Sequence, residues 1–168
     1  SSSEELIFRG FVYQRLKNRY NNIKFAIIVN SILFAVLHLG NNGISAAGFI
    51  DILLSGVFFS LMFCAFNSIW IVMACHTTWN FTQNILLGLP NSGTVSKYSI
   101  FIMDVNSATS SFAFDKNFGL EGAALSITLM FIGCMIMYIY CKKYNKFVFR
   151  MSNYSDGNKR NFRIKYDR

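Results

Sequence analysis

The chain has 168 residues, of which 53% are hydrophobic and only 14% are charged. Soluble domains carry about 25% charged residues, and one soluble core of this size would not bury so much apolar surface. A net charge of +8 would suit a nucleic-acid partner, but the basic residues lie beside apolar runs and not on one globular face. The composition excludes an ordinary soluble domain and predicts an integral membrane protein in a lipid bilayer, with no nucleic acid.

Residues 1–20 form the first predicted helix. The segment is strongly apolar until it reaches a basic stretch that starts at Arg15. Basic residues beside an apolar helix are typical of the end of a membrane span. We therefore interpret the segment as the latter part of a membrane helix. Because the chain opens without a Met or a signal peptide, further helices are expected upstream.

Four longer apolar runs follow, and each approaches the roughly 20 residues that cross about 30 Å of hydrocarbon. A bilayer offers no water to backbone N–H and C=O groups, so each run is expected to be helical. The predicted fold class is an all-α, polytopic membrane helical bundle with about four full spans and a partial N-terminal helix. The runs are Ile23 to Leu39, Ala47 to Phe66, Ile69 to Leu87 and Leu120 to Cys141.

The lysines and arginines lie almost entirely on one side of this arrangement. Fourteen of the 16 lie before the first run, at its very start or after the fourth run, and four crossings return the chain to its starting side. The positive-inside rule predicts that this side is cytoplasmic. We therefore expect a membrane domain over residues 1–141 and a basic cytoplasmic tail over residues 142–168. The frequent Asn, Lys, Ile and Phe residues are typical of an AT-rich genome, which indicates a bacterial plasma membrane.

Residues 88–119 form a long predicted loop, rich in Gly, Ser, Asn and Thr. The favoured interpretation is a disordered connector. The alternative is a cover over a cavity, since loops longer than about 12–15 residues are often functional. The four cysteines lie in or at the ends of apolar runs without metal-ligand spacing, so free buried thiols are expected.

Polar side chains within membrane helices cost roughly 2.5–3.5 kcal/mol at a helix centre, and they therefore mark functional positions. Both histidines of the chain fall in apolar runs, His38 near the end of the first and His76 midway along the third. Asn80 follows His76 by four residues, which puts both on one helix face, about 6 Å apart. Near the N-terminus, Glu5 lies four residues before Arg9, where the two can form an intrahelical ion pair.

These residue types suit peptide hydrolysis, which needs a base to activate water and donors for the developing oxyanion. A glutamate from Glu4 and Glu5 can activate water with one histidine, while the other histidine and Asn80 donate to the carbonyl oxygen. Alternatively, a glutamate and both histidines can bind Zn²⁺ and leave an open position for the water. The spacing does not choose between a site without a cofactor and a zinc site.

Three other residues in the apolar runs are assigned structural roles. Asp51 is isolated in the second run and is expected to form a hydrogen bond to a neighbouring helix. Trp70 and Trp79 are expected to be interface or packing residues.

Three motifs, in order, resemble the signature of the CPBP family of CAAX-protease and bacteriocin-processing (abortive-infection) membrane endopeptidases. Each motif lies on or beside an apolar helix, and the resemblance covers about residues 4–90. It implies a multi-helix protein with a water-filled cavity within the bilayer. The motif residues are Glu4, Glu5 and Arg9, then Phe34 and His38, then His76 and Asn80.

The resemblance also implies a role for each residue. Glu4 is implied to be the catalytic carboxylate and His38 to help position the water, while His76 and Asn80 stabilise the oxyanion. If the mechanism is instead that of a metalloprotease, the implied zinc ligands are Glu4, His38 and His76. The supporting residues implied are Glu5 and Arg9.

The predicted function is an intramembrane endopeptidase that acts on a peptide or protein substrate at the membrane, in the maturation of a bacteriocin-type leader peptide or in self-immunity. One alternative is a non-enzymatic membrane immunity or scaffold protein that retains the fold. Another is a transporter fragment whose polar residues relay protons. The enzyme is favoured because a binding protein does not need all four costly groups, and a proton path would need more ionisable residues than Asp51.

Overall fold

The computed structural model describes residues 1–102, 104, 107 and 109–148. Within these residues the regular structure is helical, and the β-type pairing there consists of isolated bridges in the long loop. The predicted all-α helical bundle is therefore confirmed. The part of the predicted basic tail from residue 149 onward lies outside the described residues.

Five helices make up the described bundle. Helix α1 is continuous but changes geometry: it is α-helical over Ser2–Glu5, π-helical over Leu6–Val12 and α-helical again over Tyr13–Tyr20. The other helices are α2 at Ile23–Leu37, extended by a 3-10 turn at His38–Gly40; α3 at Ala46–Phe66; α4 at Ile69–Asn80, extended by the π-helical Phe81–Leu86; and α5 at Ala124–Lys143.

Short polar segments start and stop these helices. The Asn22 side chain accepts a hydrogen bond from the Phe25 N–H at 3.0 Å and caps α2, and Ser45 caps α3 through the Gly48 N–H at 3.1 Å. Such caps satisfy backbone donors that the start of a helix leaves unpaired. Asn67 adopts a left-handed conformation with φ 50°, which ends α3 and allows α4 to start almost at once.

Three of the described helices are long and apolar enough to cross a membrane, so the chain is an integral membrane protein. They span Ile23–Gly40, Ala46–Phe66 and Ala124–Lys143. The remaining predicted run is α-helical over Ile69–Asn80 and then π-helical over Phe81–Leu86. The count of four full spans therefore stays a prediction.

The last helix starts later than the sequence predicts. The fourth apolar run was expected to begin at Leu120, but α5 begins at Ala124. The cause lies in Gly119 and Gly122, which adopt φ of +85° and +83°. Glycine reaches this left-handed region without a steric penalty, so the chain turns here instead of continuing as a helix.

Helix α3 lies at the centre of the bundle and packs against both α2 and α5. At Gly56 the helices approach so closely that an added Cβ would lie 3.2 Å from the Ser31 Cα of α2. Nearby, the Asn30 side-chain amide donates to the Ser60 hydroxyl at 3.0 Å. Close contact at small residues and interhelical hydrogen bonds stabilise helix pairs in a membrane, where lipid is as apolar as the helices.

The bundle has two ends with different interiors. We call the end that holds residues 41–45 and 87–123 the loop end, and the end that holds residues 21–22 and 67–68 the basic end. A large apolar cluster fills the basic end, and a smaller one lies at the loop end. The large cluster includes Tyr13, Ile23, Ala26, Ile27, Leu61, Phe63, Ala65, Val72 and Cys141; the smaller one consists of Phe8, Phe34, Ala35, Ile52 and Phe118.

Candidate active site

A buried ion pair lies in helix α1 at its π-helical segment. The Arg9 guanidinium donates from Nη1 to Glu5 Oε1 at 3.1 Å and from Nη2 to the Gly56 carbonyl oxygen of α3 at 2.9 Å. Both side chains are 0% exposed, and the guanidinium carbon lies 4.7 Å from the centre of the Phe34 ring. Charges this deep require a partner. The predicted intrahelical pair is therefore confirmed, and it also ties α1 to α3.

The same glutamate holds His76 of α4. His76 Nδ1 lies 2.7 Å from Glu5 Oε1, and the imidazole stacks on the Phe59 ring with centroids 4.9 Å apart and an interplanar angle of 21°. An ionised carboxylate only accepts hydrogen bonds, so Nδ1 carries the proton in this contact. The orientation of the ring is fixed, and Nε2 is the nitrogen left for other partners.

Glu4 meets the other histidine, His38, at the loop end of α2. His38 Nδ1 donates to the Phe34 carbonyl oxygen at 2.7 Å, because a carbonyl can only accept. His38 Nε2 then lies 3.9 Å from Glu4 Oε2. The Glu4 side chain is 39% exposed, whereas that of Glu5 is 0% exposed. The two adjacent glutamates thus occupy different environments and pair with different histidines.

Both histidines border one small cavity. The Phe34 ring lies between them, with its centroid 4.5 Å from that of His38 and 6.3 Å from that of His76. The cavity has a volume of about 30 Å³, and a water molecule needs at least roughly 10–15 Å³ measured this way. The cavity can therefore hold water beside the two histidines. Its lining residues are Phe34, His38, Ile52, Ser55, Phe59, His76, Trp79, Ser92, Glu121 and Met130.

Asn80 lies one helical turn beyond His76 and contacts the long loop. Its side-chain oxygen Oδ1 accepts a hydrogen bond from Asn91 Nδ2 at 3.3 Å. Asn84, four residues further on, lies in the π-helical segment, where the wider turn changes the angular spacing, and it donates to the Thr94 carbonyl oxygen at 2.9 Å.

The loop is folded against the site where the structure describes it. Gln83 donates to the Pro90 carbonyl oxygen at 2.5 Å, and Phe118 is 0% exposed in the small apolar cluster. Interpreting residues 88–119 as a disordered connector is therefore wrong for these parts of the loop. The signal in the sequence was the pair of amides at the end of α4, Gln83 and Asn84, whose side chains bind loop carbonyls. The alternative of a cover over a cavity agrees with Ser92 in the cavity lining.

Glu121 is a cavity residue that the sequence analysis missed. The Trp79 indole N–H donates to its Oε1 at 3.1 Å, and the Ser92 N–H donates to its Oε2 at 2.9 Å; the Ser92 hydroxyl also donates to Oε2. A signal was available, because Glu121 falls inside the fourth apolar run, where a carboxylate is costly. Trp79 was expected to be a packing residue, and the structure shows that it also lines the cavity.

Asp51 has the structural role expected of it. Its Oδ2 accepts hydrogen bonds from the Ser126 hydroxyl of α5 at 2.7 Å and from the Gly122 N–H at 2.9 Å. The predicted bond to a neighbouring helix is therefore confirmed. The four cysteines are free thiols, as expected, but the expected burial holds for Cys134 and Cys141, whereas Cys64 is half-buried and Cys75 is exposed.

A larger, mostly apolar groove of about 600 Å³ opens between α4 and α5, against α3. It shares Phe59, Trp79 and Met130 with the small cavity, so the two are adjacent. The remaining lining residues are mostly small or apolar side chains: Phe58, Ala74, Cys75, Thr78, Thr82, Ser126, Leu129 and Gly133. The site thus has an apolar approach from between two helices.

Zinc ligation was the alternative that the sequence left open. Within the described residues, no group of three or more His, Cys, Asp or Glu side chains is arranged so that it could hold a metal ion. In this geometry Glu4, His38 and His76 do not fit a zinc site, and we derive no step through a metal.

The fold and the site together define a class: a helical membrane protein with two glutamate–histidine pairs beside a cavity of the size of a water molecule. Residues 1–82 match the family model described as Rce1-like, type II CAAX prenyl endopeptidase Rce1-like. The matched segment includes all three motifs, so the resemblance found in the sequence is confirmed over these residues. The match supports a membrane endopeptidase in general terms. No curated protein and no solved structure matches the chain.

Proposed function

We propose that this protein hydrolyses a peptide bond within the membrane with a water molecule activated by Glu4 and His38. The observation that carries the proposal is the pairing of Glu4 with His38 at 3.9 Å and of Glu5 with His76 at 2.7 Å, with both histidines at one small cavity. Carboxylate–histidine pairs beside a water-sized cavity, one of them buried, are expensive in a membrane and suit acid–base chemistry.

The geometry supports Glu4 as the base. A separation of 3.9 Å is too long for a direct hydrogen bond, but Glu4 Oε2 and His38 Nε2 can each accept a hydrogen bond from one shared water. Because His38 Nδ1 donates to a backbone carbonyl, the neutral ring presents Nε2 as an acceptor. The water oxygen attacks the carbonyl carbon and its proton passes to Glu4. When the C–N bond breaks, Glu4 returns that proton to the leaving nitrogen.

His76 and Asn80 are proposed to stabilise the oxyanion. His76 Nδ1 is committed to Glu5, so His76 donates from Nε2 in its doubly protonated form, next to the negative charge of Glu5. Asn80 accepts a hydrogen bond at Oδ1, and its Nδ2 can therefore donate to the substrate. Glu5 and Arg9 act as supporting residues, since they orient His76 and tie its helix to α1 and α3.

The apolar groove between α4 and α5 is the proposed approach for the apolar part of a substrate. It reaches the cavity at Phe59, Trp79 and Met130 and opens sideways from the bundle. A substrate segment lying in the bilayer could enter there without crossing water. The leader peptide of bacteriocin type, the role in self-immunity, the bacterial membrane and the cytoplasmic tail all stay predictions from the sequence.

Cleavage of a defined peptide set tests the proposal. The full chain, purified in detergent, is incubated with membrane-anchored peptides, lipidated or not, and the products are identified by mass spectrometry. We expect cleavage by the native protein, loss of cleavage in Glu4→Gln and His76→Gln, and native cleavage in Asp115→Asn. The last variant removes a loop carboxylate whose hydrogen bonds, among the described residues, are to the nearby backbone.

Two results would contradict the proposal. Native cleavage rates in both Glu4→Gln and His76→Gln would remove these residues from the mechanism. Loss of activity in a chelator, followed by recovery on addition of Zn²⁺, would show that a metal ion and not Glu4 activates the water.

A further inference from the structure

The turn at Asn91–Thr94 is attached to the end of helix α4. The Asn91 N–H donates to the Thr94 carbonyl oxygen at 2.8 Å, and the Thr94 N–H donates back to the Asn91 carbonyl oxygen at 3.0 Å. Gln83 donates to the Pro90 carbonyl oxygen at 2.5 Å, and Asn84 donates to that of Thr94 at 2.9 Å. The π-helical segment of α4 therefore fixes this turn through the side-chain amides of Gln83 and Asn84.

The carboxylate of Glu121, just after the other end of the loop, also binds the turn. Glu121 accepts the N–H and hydroxyl of Ser92, and it also accepts the indole N–H of Trp79. Gly119 packs against the Pro90 carbonyl so tightly that no Cβ would fit there. Both flanks of the loop thus fix the position of the turn relative to α4.

The fixed turn presents one side chain to the candidate oxyanion donor. Asn91 is only 9% exposed, and its Nδ2 donates to Asn80 Oδ1 at 3.3 Å. A primary amide can rotate so that either its oxygen or its nitrogen faces a substrate. A donor held against Oδ1 favours the rotamer in which Asn80 offers its Nδ2 as the free group.

We propose that Asn91 is a positioning residue that orients the Asn80 side-chain amide for the oxyanion, and that Glu121 anchors the turn that carries Asn91. This proposal rests on the proposed function, since it assigns the orientation of a donor in the same site. The long loop therefore contributes to the chemistry although it carries none of the three family motifs.

The first test replaces the donor and keeps the shape. Asn91→Asp turns the amide into an acceptor, which repels Asn80 Oδ1 and favours the wrong rotamer of Asn80. We expect kcat to fall roughly tenfold, as for the loss of one hydrogen bond that orients a reacting group, with little change in KM. Asn42→Asp is the matched control, because it makes the same chemical change at an exposed loop residue and should leave kcat unchanged.

A double-mutant cycle separates positioning from general damage to the loop. In an Asn80→Ala background, Asn91→Asp should cause no further loss of kcat, because the group that it orients is absent. A tenfold loss in both backgrounds would overturn the proposal. Glu121→Gln serves as a second variant if Asn91→Asp does not fold, and its loss of kcat should likewise be smaller in the Asn80→Ala background.

A spectroscopic readout keeps this test independent of proteolysis. In protein labelled with ¹⁵N-asparagine, the Asn80 side-chain amide signal is assigned by its absence in Asn80→Ala. The signal should shift in Asn91→Asp and stay in place in Asn42→Asp. An unchanged signal in Asn91→Asp would refute the positioning role, whereas a shifted signal in a protein that cleaves no peptide would refute the proposed function alone.

Discussion

The two ends of the bundle differ in what fills the space between the helices. At the basic end, side chains such as Phe63, Val72 and Cys141 form a large apolar cluster. At the loop end, the buried groups include Glu5, Arg9 and His76, and the apolar cluster is small. Packing therefore provides most of the stability at one end. The other end carries the costly polar groups that the chemistry needs.

The loop end also has hydrogen-bonding groups that find no partner among the described residues. Glu5 Oε2 and Arg9 Nε, both buried, have no hydrogen-bond partner among the described residues. Such groups lower stability unless water reaches them. A substitution at the loop end should therefore change catalysis more than stability when it affects an exposed group, and both when it affects the buried pair. At the basic end, substitutions should change stability alone.

The largest expected effect is on catalysis, in Glu4→Gln. The substitution keeps the shape of a side chain that is 39% exposed and removes the base. A general base contributes roughly 10²–10⁴-fold, so kcat should fall by about that factor while the unfolding midpoint in detergent stays unchanged. Steady-state cleavage rates and thermal unfolding check this. A loss of stability that matches the loss of activity would mean that Glu4 is structural.

The next largest effect is expected on stability, in Arg9→Met. The change removes the guanidinium partner of the buried Glu5 carboxylate and leaves it only the contact with His76, and breaking a buried pair in this way costs about 3–5 kcal/mol. Reversible unfolding in mixed micelles should show this loss. A matched double variant, Arg9→Met with Glu5→Gln, should recover much of the stability because the buried carboxylate charge is removed together with its guanidinium partner. Failure of the double variant to recover would show that Arg9 acts through its packing on Phe34.

A smaller effect is expected in the groove, from Leu129→Trp. Leu129 is 59% exposed and lines the groove, so an indole there should obstruct the approach of an apolar substrate. We expect kcat/KM to fall roughly tenfold, in the range typical of a changed pocket. The matched control is Phe131→Trp, at a residue of the same helix that is 56% exposed and outside the groove lining. Equal losses in the two variants would exclude the groove as the approach.

The smallest effect is expected at the basic end, in Phe63→Leu. Phe63 meets Tyr13 edge to face with ring centroids 5.3 Å apart, and such pairs contribute about 0.5–1.5 kcal/mol beyond burial. The free energy of unfolding should fall by about 1 kcal/mol, while kcat of the folded protein stays unchanged. A drop in kcat would contradict the division between the two ends. A loss of the same size in a Tyr13→Leu background would show that the ring pair contributes nothing.

Local patterns predicted much of this molecule. The i,i+4 spacing of Glu5 and Arg9 was enough to predict their ion pair, because a helix brings such residues together by itself. The predicted helices agree with the structure to within a few residues, except where π-helical geometry and the two glycines at 119 and 122 change the course of the chain. The isolated carboxylate of Asp51 correctly indicated a bond between helices.

Local sequence patterns did not predict which residues the catalytic candidates contact. The sequence marked two glutamates and two histidines as catalytic candidates, but nothing in the spacing pairs Glu4 with His38 and Glu5 with His76. These contacts join α1 to α2 and to α4, over separations along the chain that only the packing of the helices closes. Asn91, Ser92 and Glu121 were missed for the same reason, since their role depends on a loop folding back onto α4.

The sequence by itself determined that the protein lies in a lipid bilayer, that it is helical, and which family its motifs resemble. Each of these follows from composition, from the unmet hydrogen bonds of a backbone in lipid, or from short motifs, all of which act within a few residues. Only the tertiary structure decided which glutamate meets which histidine, how the long loop brings Ser92 into the cavity lining, and where the groove opens. Side-chain contacts between helices depend on how the helices cross, and no local pattern carries that information.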